Sequence, residues 1–246
     1  MTRTVCGGVG GNEPAHIPPT TMSDSIYRVL RSAENGEFYW HLKARNGEII
    51  AASGETYTDL GGCLGGLYGF KLGAGDAPLN DRTRPGAAGR VGDHEFELFR
   101  DEAGEHRWRF QAANNQIIAT SGEGYASKGG AEDAVGRVRA AAPDAAVEVE
   151  VDEPVDVEDC AKAGHGAPKA KRYRVRIDRQ KHVIDRPSVT GRELLAVAGK
   201  TPHTRFRIDQ KLRGGEVRKV GYDEAVSLCA PGVERFMTIP LDQTEG

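Results

Sequence analysis

Hydrophobic and polar residues alternate in short stretches near the start of the chain, and this pattern occurs twice. The stretches FYWHLKARNGEIIAASGETY, from Phe38, and HRWRFQAANNQIIATSGEGY, from His106, align without a gap. Trp40 aligns with Trp108, and the tyrosines that end the two stretches also align. A match of this length at one fixed spacing indicates duplication of a structural unit.

In each copy the pattern predicts three strands followed by a helix. Residues at every second position of the stretch around Trp40 are apolar, which is typical of a half-buried strand. Asn46-Gly47 predicts a tight hairpin turn before the third strand. A helix with apolar residues at helical spacing is expected from about Thr58 in the first copy and Ser127 in the second. The apolar helix positions are Leu60, Leu64 and Leu67, then Ala131, Val135 and Val138.

A different order of elements is predicted for residues 171–240. The stretch KRYRVRIDRQKHVI predicts two strands, and SVTGRELLAVAGK predicts a helix. Thr190 and Glu193 form a capping box at its start, and Gly199 is placed to end it. The expected buried stripe is Leu194, Leu195, Val197 and Ala198. Two more strands, HTRFRIDQKL and ERFMTIP, complete the β-β-α-β-β order of a β-grasp fold.

The chain as a whole is therefore predicted to be α+β. Two tandem units, residues 25–73 and 93–146, each form a three-stranded antiparallel sheet plus a helix, and the β-grasp unit follows. Residues 147–170 are acidic, then basic, and rich in Pro, Gly and Ala. This composition favours a flexible linker over an acidic docking peptide.

The two ends of the chain show no periodicity. Residues 1–24 are rich in glycine and proline, so we expect a disordered segment, and Met1 and Met22 both stay open as the true start. Residues 241–246 form a short polar tail that ends in Gly246.

Composition excludes several functional classes. The net charge of −3 gives no basic field that would favour DNA or RNA. The chain contains no apolar run of the roughly 20 residues that a membrane helix needs. The N-terminal stretch also lacks the apolar segment of a secretory signal. A cytoplasmic location is therefore expected.

Candidate catalytic and metal-binding groups are sparse. The four cysteines have no spacing typical of a zinc site, so free thiols without a metal are expected. They are Cys6, Cys63, Cys160 and Cys229. Cys160 is expected to be exposed in the linker and is the one plausible reactive thiol, whereas Cys229 is expected to be a small buried hydrophobe. No carboxylate pair or triad stands out, so the chain is not expected to be an enzyme or to hold a cofactor.

Other conspicuous residues have structural interpretations. Gly61-Gly62 and Gly65-Gly66 lack the Lys-Ser/Thr of a phosphate-binding loop, and close packing of the helix against the sheet is favoured. Trp40 and Trp108 lie on apolar strand faces, which favours core packing over ligand stacking. His182 is expected at the surface.

The repeated motif resembles the YegP-like family of small bacterial domains. The resemblance rests on the aromatic strand, the Asn-Gly type turn, Ile-Ile-Ala, Ser-Gly-Glu and Tyr, and it covers about Ser25 to Ala141. Domains of that family usually occur as tandem copies. Their function is unknown, so the resemblance implies a fold without an activity.

A second resemblance rests on TGRELL, from Thr190, and GVERF, from Gly232, and it covers about Lys171 to Pro240. These segments are similar to the bacterial multiubiquitin domain family, which is ubiquitin-like. The resemblance implies a protein modifier with three partners, namely an E1-like activating enzyme, an E2-like conjugating enzyme and a deconjugating peptidase. ATP would be used by the activating enzyme. Many members carry several modifier domains in tandem, whereas this chain carries one.

The resemblance also implies that the carboxylate of Gly246 is the reactive group. A terminal glycine adapts its backbone freely to a narrow channel, and Pro240, without an N–H, is placed to end the strand before it. An extended tail from Pro240 reaches about 20–25 Å. Glu245 departs from the glycine pair that usually ends ubiquitin-like tails. The alternative hypothesis is a binding scaffold that recruits proteins through its domains without conjugation.

Overall fold

The computed structural model describes residues 24–241 except 85, 87 and 88. The predicted N-terminal disordered segment therefore lies outside the described residues, apart from Asp24. The first repeat contains β1 (Ile26–Arg31), β2 (Phe38–Lys43), β3 (Ile49–Ser53) and α1 (Leu60–Gly73). The short strand β4 (Leu79–Asp81) follows. The second repeat contains β5 (Glu95–Arg100), β6 (His106–Gln111), β7 (Ile117–Thr120) and α2 (Lys128–Ala141).

The segment that joins the second repeat to the C-terminal unit also has regular structure. It contains β8 (Ala146–Val149), β9 (Val155–Asp156), α3 (Val157–Ala163) and β10 (Lys169–Ala170). The prediction of a flexible linker over 147–170 is wrong for these elements. Val147 and Val149 are buried, and the carboxylate of Glu148 lies 2.5 Å from Arg28 and 2.8 Å from Lys169. Apolar burial and ion pairs therefore hold a segment whose composition alone indicates flexibility.

The C-terminal unit has the predicted order of elements with three short strands added. It contains β11 (Tyr173–Ile177), β12 (Gln180–Ile184), β13 (Ser188–Thr190), α4 (Gly191–Val197), a 3-10 turn (His203–Arg205), β14 (Phe206–Leu212), β15 (Val217–Val220), β16 (Ala225–Ser227) and β17 (Val233–Pro240). The predicted α+β class is confirmed.

Local sequence explains the turns and helix starts of the repeats. The hairpin turns place Gly47 at φ 84° and Asn115 at φ 67°, the left-handed region that glycine and asparagine tolerate. Each helix begins where a side chain accepts a hydrogen bond from a backbone N–H of its first turn. Asp59 caps α1 and Ser127 caps α2, each bonding the glycine three residues later.

The two repeats form one sheet rather than two. Its nine strands lie in the order β10-β8-β1-β2-β3-β7-β6-β5-β4. The join is the antiparallel pair β3–β7, in which Ala52 lies opposite Thr120, its equivalent in the other copy. Gly54 extends the join, because its N–H donates to the carbonyl of Ile118. A Cβ on Gly54 would lie 2.4 Å from the carbonyl oxygen of Ile117, so this approach requires glycine.

The helices cross this join, and the repeats therefore share a core. α1 packs on β2 of its own repeat and on β7 of the other, and α2 packs on β6 and β3. Phe70 of α1 is fully buried and stacks on Trp40 of its own repeat with ring centroids 5.2 Å apart. The same ring meets Phe110 of the second repeat edge-on at 5.0 Å. One aromatic cluster thus stabilises both copies.

The C-terminal unit has β-grasp topology. Its main sheet has the order β12-β11-β17-β14-β15, with the last strand β17 in the middle and parallel to β11. The capping box of Thr190 and Glu193 is present at the start of α4. Gly199 has φ 69°, and its N–H donates to Ala196, as expected at a helix end. Leu194 and Leu195 are buried, whereas Val197 is 41% exposed, so the predicted buried stripe is shorter than expected.

Helix α3 lies between the two parts of the chain. It packs on β17 and β11, and its buried Glu158 lies 3.3 Å from Arg176 of β11. Just beyond α3, the ring of His165 stacks on Tyr68 of α1 with centroids 3.5 Å apart. β10 pairs with β8 at the edge of the larger sheet. The β-grasp unit is thus docked on the first repeat through this segment.

Substitution of Phe70 tests whether the repeats share one core. Phe70→Ala is expected to lower the free energy of unfolding by about 3–5 kcal/mol, the usual cost of deleting a buried aromatic ring. Both repeats are expected to unfold in one transition, because the ring contacts both of them. Urea denaturation followed by circular dichroism measures the change.

The matched control is Leu72→Ala on the same helix, where the side chain is 81% exposed. This variant is expected to change stability by less than about 0.5 kcal/mol. Two separate transitions in Phe70→Ala, with the second repeat unaffected, would contradict a shared core.

Candidate functional site

The C-terminal strand leads from the middle of the β-grasp sheet to the surface. β17 pairs with β14 along its length, from Val233 opposite Leu212 to Pro240 opposite Phe206. Pro240 is the last residue of the strand, and one further bond follows it, from the N–H of Leu241 to the carbonyl of Arg205 at 2.8 Å. The sheet therefore holds the chain one residue beyond the proline expected to release it.

The end of β17 lies beside a polar cluster on the neighbouring loops. The hydroxyl of Tyr222 donates to the carbonyl of Phe206 at 2.9 Å, and the ring of His203 meets Tyr222 edge-on. The guanidinium of Arg192 donates to Asp223 at 2.8 Å. These contacts fix the loops beside the end of β17. At that end, the side chains of Ile239 and Leu241 are 37% and 44% exposed.

Gly246, the predicted reactive carboxylate, lies outside the described residues. Asp242 and Glu245, the acidic residues of the tail, lie outside them as well. The structure therefore describes the chain as far as Leu241, at the domain surface, and the role of Gly246 stays a prediction.

The expected exposure of Cys160 is wrong. Its side chain lies on α3 and is 5% exposed, because the predicted linker is a packed helix. Burial, together with smaller contributions from the carboxylates of Asp156 and Asp159, raises the pKa of Cys160 to about 12. A thiol that stays protonated at neutral pH is a poor nucleophile.

The other two described cysteines differ in their exposure. Cys63 is fully buried in α1, and burial raises its pKa to about 12. Cys229 is partly exposed, not buried as expected, and its thiol lies 3.2 Å from the hydroxyl of Tyr173. Cys6 lies outside the described residues.

The structural interpretation of the tryptophans is confirmed, whereas close packing explains only some of the helix glycines, because a Cβ on Gly65 would meet nothing within 4 Å. Trp40 and Trp108 are both fully buried in the shared core. A Cβ on Gly66 would lie 2.2 Å from the hydroxyl oxygen of Tyr57, so this glycine is needed for close packing. His182 is half-buried on the edge strand β12.

Two concave regions were not predicted, since each is built from segments distant in sequence. A cavity of about 390 Å³ lies between α1 and α3, where Leu60, Cys160 and Arg174 contribute to its walls. A groove of about 630 Å³ lies between α1 and the β6–β7 hairpin, lined by Tyr57 and Gln116 among others.

Within residues 24–241, the described part, no group of three or more His, Cys, Asp or Glu side chains is arranged to hold a metal ion. None of the helices in that part is long and apolar enough to cross a membrane.

Comparison with known protein families agrees with this division of the chain. The model of a domain of unknown function, DUF1508, matches residues 33–81 and 101–148. The Multiubiquitin model matches residues 173–240. The two repeats and the β-grasp unit therefore have separate family relationships.

Among curated relatives, a UPF0339 protein encoded 5′ of the ptx operon of Stutzerimonas stutzeri is 35% identical over 112 residues, covering 46% of this chain and 85% of the relative. A UPF0339 protein of Neisseria meningitidis serogroup B is 55% identical over 40 residues, covering 16% of this chain and 70% of the relative. The chain belongs to the UPF0339, or YegP-like, family through its two repeats, and it carries a multiubiquitin domain after them.

Two solved structures are similar to the repeat region. A UPF0339 protein of Shewanella oneidensis is 23% identical, with a TM-score of 0.40, and the match covers 51% of this chain and 91% of that protein. The protein of unknown function yegP from E. coli is 24% identical, with a TM-score of 0.41, and the match covers 52% of this chain and 93% of that protein.

Thiol labelling tests the position of Cys160. In the native protein at pH 8, alkylation of Cys160 by iodoacetamide is expected to be roughly 100-fold slower than in urea, because the thiol is buried and protonated. Peptide mass spectrometry measures the modified fraction at each cysteine over time. Cys229 is the internal control, since its partial exposure predicts faster labelling. Labelling of Cys160 at the same rate with and without urea would show that α3 is not packed as described.

Proposed function

We propose that the chain is a ubiquitin-like modifier whose Gly246 carboxylate is activated by an E1-like enzyme and conjugated to target proteins. The observation that carries this proposal is the Multiubiquitin match over residues 173–240, a unit with β-grasp topology. The end of that unit supports it, because Leu241 is exposed at the surface. From there an extended tail of five residues spans about 17 Å, which suits entry into another protein's active site.

The proposed chemistry takes place at the terminal carboxylate. A carboxylate oxygen of Gly246 attacks the α-phosphorus of ATP in the activating enzyme, which releases pyrophosphate and leaves an acyl-adenylate. A cysteine thiolate of that enzyme then displaces AMP and forms a thioester. The amine of a target lysine finally attacks the thioester, which forms an amide and releases the thiol. The chain supplies the carboxylate and the surface that a partner recognises.

This proposal assigns the chemistry to partner proteins. An E1-like enzyme uses the ATP, an E2-like enzyme transfers the acyl group, and a peptidase removes the modifier, in the cytoplasm. Burial of Cys160 and Cys63 makes these two thiols poor nucleophiles. The proposed role therefore gives the chain no enzymatic activity and no bound cofactor.

The alternative is a scaffold that binds proteins without being conjugated. The docking of the β-grasp unit on the first repeat favours it, because the stack of His165 on Tyr68 and the β8–β10 pair hold both units together. A scaffold needs such a fixed arrangement of surfaces, whereas a modifier needs only a free tail.

Extension of the tail separates the two functions. The chain is incubated with ATP and an E1-like enzyme from the same organism, and intact-mass measurement detects the thioester. Addition of one residue after Gly246 is expected to abolish the thioester, because the new carboxylate no longer fits the adenylation site.

The matched control carries one extra residue before Met1 and is expected to form the thioester like the unaltered chain. Persistence of covalent products after the C-terminal extension would refute activation at Gly246. Non-covalent binding of partners without any thioester would support the scaffold.

A further inference from the structure

Among the described residues, the nine-stranded sheet and the β-grasp sheet end in four outer strands of different lengths. The outer strands of the nine-stranded sheet, β10 and β4, have two and three residues. In the β-grasp sheet, β15 has four residues and β12 has five. Short edges limit pairing between molecules. β12 is therefore the edge that offers the most backbone hydrogen bonds to an added strand.

The hydrogen bonds around β11 determine which backbone groups of β12 point away from the sheet. The N–H of Asp178 donates to a carbonyl of β17, so the backbone of Ile177 points the other way, toward its partner Gln180 on β12. Along an antiparallel pair, residues bonded in this way alternate with residues whose backbone groups face outward. The N–H and C=O groups of Lys181 and Val183 therefore lie on the open side of β12.

The side chains on this edge complement a second copy of the same edge. If two β12 strands pair antiparallel about a two-fold axis at Val183, Lys181 of each copy lies opposite Asp185 of the other. Asp185 directly follows the strand, and its ion pair with Arg172, the residue before β11, shows that it continues the register. A lysine on an edge strand normally discourages pairing, but in this arrangement each lysine meets a carboxylate.

The side chains that would form this contact are accessible. Val183 is 42% exposed although it is a large apolar residue. Lys181 and Asp185 have ion pairs within the protein, with Asp156 at 2.7 Å and Arg172 at 3.1 Å, yet their side chains are 51% and 76% exposed. Within the part of the chain that the structure describes, Arg172 bonds only Oδ1 of Asp185, which leaves Oδ2 for a second cation.

Neighbouring registers of β12 lack this match. Paired residues of an antiparallel sheet point to the same face, so the two-fold axis moves by whole residues along the strand. An axis one residue away in either direction places Val183 opposite Lys181 or Asp185. Each of these registers sets a charge against an apolar side chain, so the axis at Val183 is favoured.

The other edge of the β-grasp sheet offers less. An axis at Val217 on β15 would place Glu216 opposite Arg218. Gly215, however, has φ 92°, so the extended backbone ends one residue before Glu216 could be continued by a further pair. β12 is therefore the better edge for self-pairing.

We propose that the β12 edges of two copies of this chain pair antiparallel, with Val183 at the two-fold axis, and join two β-grasp sheets into one. The interface is isologous, because each copy contributes the same strand. It consists of main-chain hydrogen bonds, one apolar contact and two ion pairs, so it is small and the dimer is expected to form only at high concentration. The pairing does not depend on activation at Gly246.

Charge exchange between the two copies tests the register. Lys181→Asp and Asp185→Lys each place like charges opposite one another, and each is expected to weaken self-association about tenfold. An equimolar mixture of the two variants is expected to restore it, because both ion pairs form again in the mixed dimer. Sedimentation velocity over a range of concentrations measures the dimer fraction, and circular dichroism checks that each variant is folded.

Two results of this experiment would overturn the proposal. One is an unaltered chain that stays monomeric at every concentration. The other is a mixture of the folded variants that associates no better than either variant alone, because the contact between copies would then lie elsewhere.

A disulfide between the copies locates the axis independently. Val183→Cys places two thiols on residues whose Cα atoms are about 5.5 Å apart in a hydrogen-bonded antiparallel pair, a distance that a disulfide spans. Air oxidation is expected to give a cross-linked dimer, and peptide mass spectrometry identifies the bond between the two copies of position 183. The bond is not expected in dilute solution, where the copies are apart.

The matched control is Val217→Cys on β15, where the side chain is 49% exposed. Its thiols meet only by collision, so the yield of cross-linked dimer is expected to be roughly tenfold lower. Equal yields from the two variants would contradict pairing through β12.

Discussion

The antiparallel pairing of β3 with β7 is the contact on which the rest of the structure depends. Each of these strands is the last of its repeat, so their pairing turns two three-stranded sheets into one continuous sheet. The pairing also carries each helix onto the sheet of the other copy. Phe70 can therefore pack against Trp40 and Phe110 together. Gly54 is the residue that makes the join possible, because its missing side chain leaves room for the carbonyl of Ile117.

The same sheet determines where the β-grasp unit lies. β8 pairs in parallel with β1 at the side of the sheet away from β4, and this brings α3 beside α1. α3 then covers the face of the β-grasp sheet that carries Arg176, where Glu158 meets it. The far end of β17 stays exposed at Ile239 and Leu241. One side of the β-grasp unit is thus used for docking, and the end of β17 is exposed on another side.

Local sequence patterns predicted most of the strands and helices, but they did not predict the contacts between segments that are far apart in the sequence. The hairpin at Asn46-Gly47 and the capping box at Thr190 depend on residues that are adjacent in the sequence, so both could be predicted from the local sequence alone. The β3–β7 join and the packing of α3 depend on partners far along the chain. The alternation of Val147 and Val149 with glutamates was a strand signal, but the overall acidic composition indicated a linker. For the candidate site, the sequence could predict that the chain leaves the β-grasp sheet near Pro240. It could not predict the groove beside α1, because that groove forms only when the two repeats pair in three dimensions.

The central claim is an amide bond between Gly246 and a lysine of another protein. Arg235 is the last basic residue, so trypsin leaves the peptide FMTIPLDQTEG, from Phe236 to Gly246, at the end of the chain. Mass spectrometry of tryptic digests from cells that contain the chain and an E1-like enzyme measures the state of this peptide directly. The proposed function predicts branched peptides in which FMTIPLDQTEG is attached to a lysine side chain. Recovery of this peptide only in linear form, with a free carboxylate at Gly246, would contradict it.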